Sequence, residues 1–275
     1  MYMRLKDGKS KVLTLSYDDG VVQDIRLIGI MNKYGIKGTF NINSGSYVAE
    51  DTVREKYYGR MKLSEAKELF INSGHEVAVH GYTHSFLEKL KPEQVLCDVL
   101  RDRQDIEKQY GVITRGMAYP FGTYNDMVVD CIDKCGICYS RTTASTGKFD
   151  FPQNWLTLHP TCHHNDKRLM ELAKDFAEGK SWLPHAKMFY LWGHSYEFDN
   201  NDNWNVIEEF CEYIGGRDDI WYATNIEIYD YVKAYEALEV SLDKTIIHNP
   251  SAIDVWFAKR NGETYCVRAG ETLRI

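Results

Sequence analysis

Two adjacent carboxylates end an apolar run near the start of the chain. Asp18 and Asp19 follow "LTLSY" (13–17), and Gly20 comes next. Burying a carboxylate is costly unless a hydrogen-bond donor or a cation compensates it. Neighbouring residues of an extended strand point to opposite sides, so both can serve one site only if the chain turns, which Gly20 permits. The pair indicates either a solvated turn or a site that binds a cation.

A pair of histidines lies further along, in "HGYTH". His80 and His84 are four residues apart, so on one helical turn they would share a face and could bind one metal ion. Two histidines and one carboxylate form a catalytic Zn²⁺ set that leaves a position open for water, and the same set can hold Fe²⁺, Co²⁺ or Ni²⁺. We therefore expect one carboxylate of the doublet to bind the metal and the other to accept a proton. Structural or solvated histidines are the alternative.

The elements that must position these residues alternate between strands and helices. Runs that predict strands lie at 11–17, 37–42, 75–80, 115–120, 137–142, 155–162, 187–194 and 220–225, with helical spacing between most of them. This alternation is typical of an α/β protein with parallel strands, and the number of units matches an α/β barrel. An open, doubly wound sheet is the competing architecture. In both folds the polar residues at the carboxyl ends of the strands meet on one side.

The last part of the chain follows a different pattern. From about residue 240 apolar and polar residues alternate, and "RNGE" (260–263) is placed like the turn of a hairpin. We predict two units, an α/β barrel over residues 1–239 and a small β appendage over residues 240–275.

Four motifs in order resemble those of a known family. "LTLSYDDG", "HGYTH", "AYPFG" and "LWGHS" are similar to the successive motifs of polysaccharide deacetylases, the NodB-homology group of carbohydrate esterase family four. The resemblance covers roughly residues 11 to 230. It implies a distorted, incomplete (β/α) barrel of about seven parallel strands, which agrees with the pattern of strands and helices.

The resemblance also implies roles for the first two motifs. The family's first motif has a catalytic base followed by a metal ligand, which correspond to Asp18 and Asp19. Its H-x-x-x-H motif supplies the other two ligands, here His80 and His84. One divalent metal is implied, most simply Zn²⁺, with Co²⁺, Ni²⁺ or Fe²⁺ as alternatives.

The later motifs imply the rest of the machinery. The family's R-P-P-Y-G motif aligns with "AYPFG", so the backbone N–H of Phe121 is expected to help hold the oxyanion. The final motif offers His194 as the general acid. The arginine that braces the base in the family is replaced by Ala118. Arg115, three residues upstream, is a candidate substitute, so the support of the Asp18 charge is left open.

Other residues near the same strand ends are candidates for substrate contact. We expect Tyr119, Pro120, Trp192 and His163 to bind substrate. His163 and its neighbour His164 lie in "HPTCHHND" (159–166), where either could bind a sugar hydroxyl or a second metal. Solvated loop histidines are the alternative for this segment.

Composition limits the compartment and the partners. The net charge is −7 and Lys and Arg form no cluster, which argues against a nucleic-acid surface. No apolar run approaches the roughly 20 residues that span a bilayer, and the first residues carry no apolar secretion signal. Seven cysteines, an odd number, indicate reduced thiols. We expect a cytoplasmic protein, with no nucleic acid or membrane partner.

Three functions remain open on the sequence. The first is a metal-dependent hydrolase that removes acetyl groups, most simply N-acetyl, from a carbohydrate such as an oligosaccharide. The second is a metal-dependent amidohydrolase acting on a small non-sugar C–N bond. The third is a catalytically silent barrel that binds carbohydrate. The sequence gives no oligomeric state.

Overall fold

The computed structural model of the protein describes residues 1–53, 59–179 and 185–275. The main sheet is built from eight strands: β2 (Lys11–Asp18), β3 (Gly38–Ile42), β4 (Glu76–Val79), β5 (Gly116–Ala118), β6 (Tyr139–Arg141), β7 (Cys162–His163), β8 (Lys187–Gly193) and β9 (Ile220–Tyr222). The helices are α1 (Asp24–Lys33), α2 (Leu63–Phe70), α3 (Pro92–Tyr110), α4 (Asp126–Lys134), α5 (Leu169–Glu178), α6 (Tyr196–Asn200), α7 (Trp204–Ile214) and α8 (Asn225–Glu236). Tyr2–Arg4 precedes them as β1.

The sheet is parallel and curled. Seven strands follow the order β6-β5-β4-β3-β2-β8-β7, and β9 pairs with the first half of β2. Every pairing in this sheet is parallel. The predicted α/β barrel with about seven parallel strands is confirmed.

Strand β2 lies at the centre of the sheet, and other elements cover both of its faces. Seven of its eight residues are buried, including the polar Thr14 and Ser16, which alternate with apolar neighbours. The helices begin and end at residues that favour the start or the end of a helix. For example, Pro92 occupies the first turn of α3, and Gly111 ends that helix with φ at 69°.

One segment closes the gap between the two edges of the sheet. Leu158 forms a parallel bridge to Arg141 of β6, and a few residues later Cys162 pairs with Leu191 of β8. Residues 158–163 therefore join both sides of the barrel. We call them the closing segment.

The C-terminal strands form two small antiparallel sheets. They are β10 (Glu239–Val240), β11 (Ile246–His248), β12 (Val255–Ala258), β13 (Thr264–Val267) and β14 (Thr272–Arg274). The predicted hairpin is present, because β12 and β13 pair across the turn that contains Gly262. Strand β1 also pairs with β12, which the sequence pattern did not indicate. The division of the chain at residue 240 stays a prediction. No helix of the described residues is long and apolar enough to cross a membrane.

Candidate active site

The aspartate doublet lies where β2 ends at the carboxyl edge of the sheet. The predicted turn is present, and it begins at Asp19 itself, whose φ is 87°, and continues through Gly20 at 64°. A positive φ is uncommon for a residue other than glycine. This turn lets both carboxylates face one side of the barrel although they are adjacent in sequence.

Asp18 is a buried carboxylate with its charge fully supported. Its Oδ1 accepts a 2.8 Å hydrogen bond from Asn41, and its Oδ2 accepts one from the guanidinium of Arg141. Burial alone would raise its pKa, but Arg141, followed by two nearby imidazoles, lowers the pKa of Asp18 to about 2. Asp18 is therefore ionised at neutral pH and able to accept a proton.

Arg141 fills the place that the sequence left open, and Arg115 does not. Arg115 forms a bidentate ion pair with Asp230, at 3.0 and 2.6 Å, and so is committed elsewhere. Arg141 is the last residue of β6, is 1% exposed, and lies over the ring of Trp192 with 4.4 Å from Cζ to the ring centroid. An arginine at the end of a predicted strand was the signal in the sequence that could have revealed it.

Asp19, His80 and His84 form a first cluster of possible metal ligands. Asp19 Oδ1 lies 4.0 Å from His80 Nε2 and 3.7 Å from His84 Nε2. Their ligand atoms all lie within 4.8 Å of one another. Among the described residues, Asp19 Oδ1 and His80 Nε2 are buried without a hydrogen-bond partner. Arg60 Nη2 is 2.9 Å from Asp19 Oδ1 as an ion pair, so this carboxylate does have a cationic neighbour.

The chemistry of this donor set fits a divalent metal. His80 Nδ1 lies 2.8 Å from the carbonyl oxygen of Ala118, which can only accept a proton, so Nδ1 carries the hydrogen and Nε2 keeps its lone pair. Burial lowers the pKa of His80, and burial together with the neighbouring His80 lowers that of His84 to about 4. Both rings are therefore neutral, as metal ligands must be.

The two histidines do not share a helical turn, contrary to the expectation. Residues 80–86 form an irregular turn after β4, with Gly81 at φ 74° and His84 at φ 56°. Two carboxylates of α3 hold it: Asp102 accepts from the His80 N–H at 3.0 Å and Asp98 from the Tyr82 N–H at 2.9 Å. The turn brings the imidazoles together because the backbone reverses direction between them.

Phe121 lies in a tight turn beside the first cluster. Its φ of 58° departs from the helical geometry of Pro120–Gly122. Within the described residues its N–H forms no backbone hydrogen bond, which leaves it able to donate to another group. The Phe121 ring stacks on Phe86 at 3.7 Å and meets the ring of His84 edge-on at 4.3 Å.

His194 also lies close to Asp18. Its Nε2 is 3.8 Å from Asp18 Oδ2 and its Nδ1 is 3.1 Å from Glu197 Oε1. Burial acts to lower its pKa, but the hydrogen bond to Glu197 and the charge of Asp18 raise it overall. Glu197 lies in the polar stretch 193–198 that follows the strand in the sequence, but it was given no role there; the structure places it in α6.

The four predicted substrate residues have different surroundings. Tyr119 and Pro120 are buried, and the Tyr119 hydroxyl donates to the carbonyl of Leu156 at 2.8 Å. Trp192 is 8% exposed under Arg141, and His163 is half-buried with its Nε2 3.3 Å from Glu197. Their contact with substrate stays a prediction.

A known protein family matches the part of the chain that contains the first cluster. The family model described as polysaccharide deacetylase matches residues 5–140, which include the aspartate doublet and both histidines of the first cluster. This match spans just under half of the chain; it confirms the resemblance to polysaccharide deacetylases and supports a hydrolase of the deacetylase class. No curated protein sequence matches it.

Solved structures resemble the chain at low sequence identity. A putative polysaccharide deacetylase from Mycobacterium smegmatis aligns with a TM-score of 0.60 and 16% identity, covering 86% of this chain and 96% of that one. A carbohydrate esterase family four pseudoenzyme from Bacillus anthracis aligns with a TM-score of 0.50 and 17% identity, over 83% and 68%. A deacetylase from Streptococcus pyogenes, in complex with acetate, aligns with a TM-score of 0.46 and 23% identity, over 52% and 61%. At these identities the likeness concerns the fold.

Proposed function

We propose that the protein is a metal-dependent deacetylase that removes N-acetyl groups from a soluble carbohydrate, most simply an oligosaccharide. The observation that carries the proposal is that a buried, ionised carboxylate and a histidine with raised pKa lie close together. Asp18 and His194 approach within 3.8 Å of each other next to the first cluster. A protein that only binds sugar needs neither group in that relation.

Each residue has a chemical task in this proposal. Asp19, His80 and His84 would hold a divalent ion, most simply Zn²⁺, which supplies a Lewis acid and lowers the pKa of water. Asp18, charged at neutral pH, accepts a proton from the attacking water.

The remaining steps fall to the two later motifs. The Phe121 N–H donates to the acyl oxygen as negative charge develops there. His194 gives its Nε2 proton to the leaving nitrogen as the C–N bond breaks, so the products are acetate and a free amine.

The compartment is part of the same proposal. All seven cysteines lie in described residues and are free thiols, which suits a reducing compartment. We propose that the protein acts in the cytoplasm on soluble acetylated sugars.

Metal content and acetate release test the proposal together. Purified wild-type protein should hold about one ion per chain, and His80→Ala should lose it. His185→Ala is the matched control, since His185 is exposed and lies at the opposite end of β8. Acetate should be released from N-acetylated chito-oligosaccharides. Metal binding without acetate release, combined with hydrolysis of simple imides, would favour a non-sugar amidohydrolase instead.

A silent barrel makes the opposite forecast. Such a protein would bind sugar but give no acetate from N-acetylated chito-oligosaccharides or from acetylated xylan, with or without added Zn²⁺. Release from xylan alone would replace the N-acetyl preference with an O-acetyl one.

A further inference from the structure

A second cluster of two histidines and one carboxylate lies beside His194. It consists of His163, the last residue of the closing segment, the next residue His164, and Glu197 in α6. Glu197 Oε2 is 3.3 Å from His163 Nε2 and 2.9 Å from His164 Nε2. The residue types and spacings are those of a metal site, so the proton positions must decide its role.

The proton on His163 is fixed by the backbone. Its Nδ1 accepts a 3.1 Å hydrogen bond from the N–H of Asn165, so in the neutral ring the hydrogen is on Nε2, which faces Glu197. A ring nitrogen that carries hydrogen cannot bind a metal. This is the reverse of His80, whose Nδ1 faces a carbonyl oxygen.

His164 reaches the same arrangement by packing. It is fully buried, with its ring stacked between Tyr17 and Phe198 at centroid distances of 5.7 and 4.2 Å. A Cβ added at Gly193 would lie 2.0 Å from His164 Nδ1, so that nitrogen faces backbone with no room for a partner. A hydrogen on Nε2 is the form that a carboxylate oxygen 2.9 Å away stabilises, although the ring is not ideally aligned with it.

Glu197 is therefore surrounded by donors. Asn165 Nδ2 adds a 3.0 Å hydrogen bond to the oxygen that the two histidines face, and the other oxygen faces His194. Partial burial acts to raise the pKa of Glu197, but the contacts of His164 and His194 lower it well below its usual range. The group is a fixed anion.

We propose that Glu197 is a positioning residue that sets the tautomer and the direction of His194. Resting on the proposed deacetylation, the inference is that Glu197 accepts the Nδ1–H of His194 and so leaves Nε2 on the Asp18 side of the ring. His163, His164 and Asn165 hold Glu197 in place, and this second cluster binds no metal. His194 depends on Glu197, which follows it by three residues in the sequence. Glu197 reaches His194 because α6 begins directly after β8.

A comparison of two leaving groups tests this role. Glu197→Gln keeps the size of the side chain and removes its charge. Hydrolysis of N-acetylated chito-oligosaccharide, whose amine must be protonated to leave, should fall in kcat by about 10- to 100-fold, the usual cost of losing such an orienting partner, with KM nearly unchanged. Hydrolysis of 4-nitrophenyl acetate, whose leaving group needs no proton, should stay within about twofold. Asp166→Asn, in the neighbouring loop and paired with Arg168, is the matched control.

Two measurements on the wild-type protein do not depend on how a variant folds. Nitrogen-15 NMR of the histidines at pH 7 should find hydrogen on Nδ1 of His194 and on Nε2 of His163. Titration with Zn²⁺ should saturate at one ion per chain. These readouts decide the inference even if no acetylated sugar is a substrate, a result that would overturn only the proposed function.

Three results would overturn the inference. They are equal slowing of the amide and the ester in Glu197→Gln, a His194 with its hydrogen only on Nε2, and a second Zn²⁺ that Glu197→Gln removes.

Discussion

The first and second clusters have the same composition, lie on the same edge of the sheet, and differ in the partner of one ring nitrogen. In the first, His80 Nδ1 faces the Ala118 carbonyl, so its other nitrogen can bind a cation. In the second, His163 Nδ1 faces a backbone N–H, so its other nitrogen donates to Glu197. Residue type and spacing alone would rank them equally as metal sites. The difference teaches that the backbone group behind a histidine decides whether the histidine is a ligand or a donor.

Removing a candidate metal ligand from the first cluster should have the largest effect of the changes predicted for the two clusters. His84→Ala should lose the ion and with it the activity, by at least the 10²- to 10⁴-fold that loss of a general base costs. Asp18→Asn should cause a loss in that same range while the ion is retained. Metal content and acetate release, measured on the same samples, separate the two outcomes. Retention of the ion in His84→Ala would remove that residue from the site.

The Asp18–Arg141 pair, which lies between the clusters, should show the next largest effect. Arg141→Met leaves a buried carboxylate unpaired, which costs about 3–5 kcal/mol of unfolding free energy. Arg115→Met is the control, because the Arg115–Asp230 pair is about one-third exposed and such pairs contribute about 0.2–1 kcal/mol. Urea unfolding of wild type, Arg141→Met and Arg115→Met at pH 7 measures both losses of unfolding free energy. Equal losses in the two variants would contradict the role given to Arg141.

The anion of the second cluster should contribute to stability in a pH-dependent way. Hydrogen bonds to a charged group contribute about 2 kcal/mol, so Glu197→Gln should lower the free energy of unfolding by about that amount at pH 7. Because the pKa of Glu197 is lowered in the folded protein, its contribution is present above the unfolded pKa of about 4.3 and lost as pH falls below it. The difference in unfolding free energy between wild type and variant should therefore shrink progressively as pH falls from about 5 towards the lowered pKa of Glu197 in the folded protein. A difference in unfolding free energy between wild type and Glu197→Gln that grows as pH falls would contradict this prediction.

The smallest effect is expected for a substitution of a histidine in the second cluster. His163→Asn should leave the metal content at one ion per chain, because its Nε2 carries hydrogen and binds none. Elemental analysis of this variant beside His84→Ala compares the clusters directly. A lower metal content in His163→Asn than in wild type would show that the second cluster binds metal as the first one does.

Much of this molecule could be predicted from its sequence because the relevant signals are local. Apolar runs and helical spacing gave the order of the strands and helices, and the aspartate doublet and paired histidines follow strands directly. Arg141 stands near the end of a predicted strand, but its pairing with Asp18 could not be assigned, because β6 is four strands from β2 in the sheet and only the curl of the barrel brings the two side chains together. The roles of His163 and His164 could not be assigned either, since they depend on which atom lies behind each ring.

The closing segment lies beyond the part of the chain that the family model matches. The candidate metal ligands lie on or after β2 and β4, whereas the proposed acid His194 and its neighbour Glu197 lie at the end of β8 and in α6, next to the closing segment. The recognisable family region ends at residue 140, one residue before Arg141. The candidate metal ligands therefore lie in the part of the chain that the family model matches, whereas Arg141, the closing segment and Glu197 lie beyond it. The groups that support Asp18 and His194 thus come from outside the matched region.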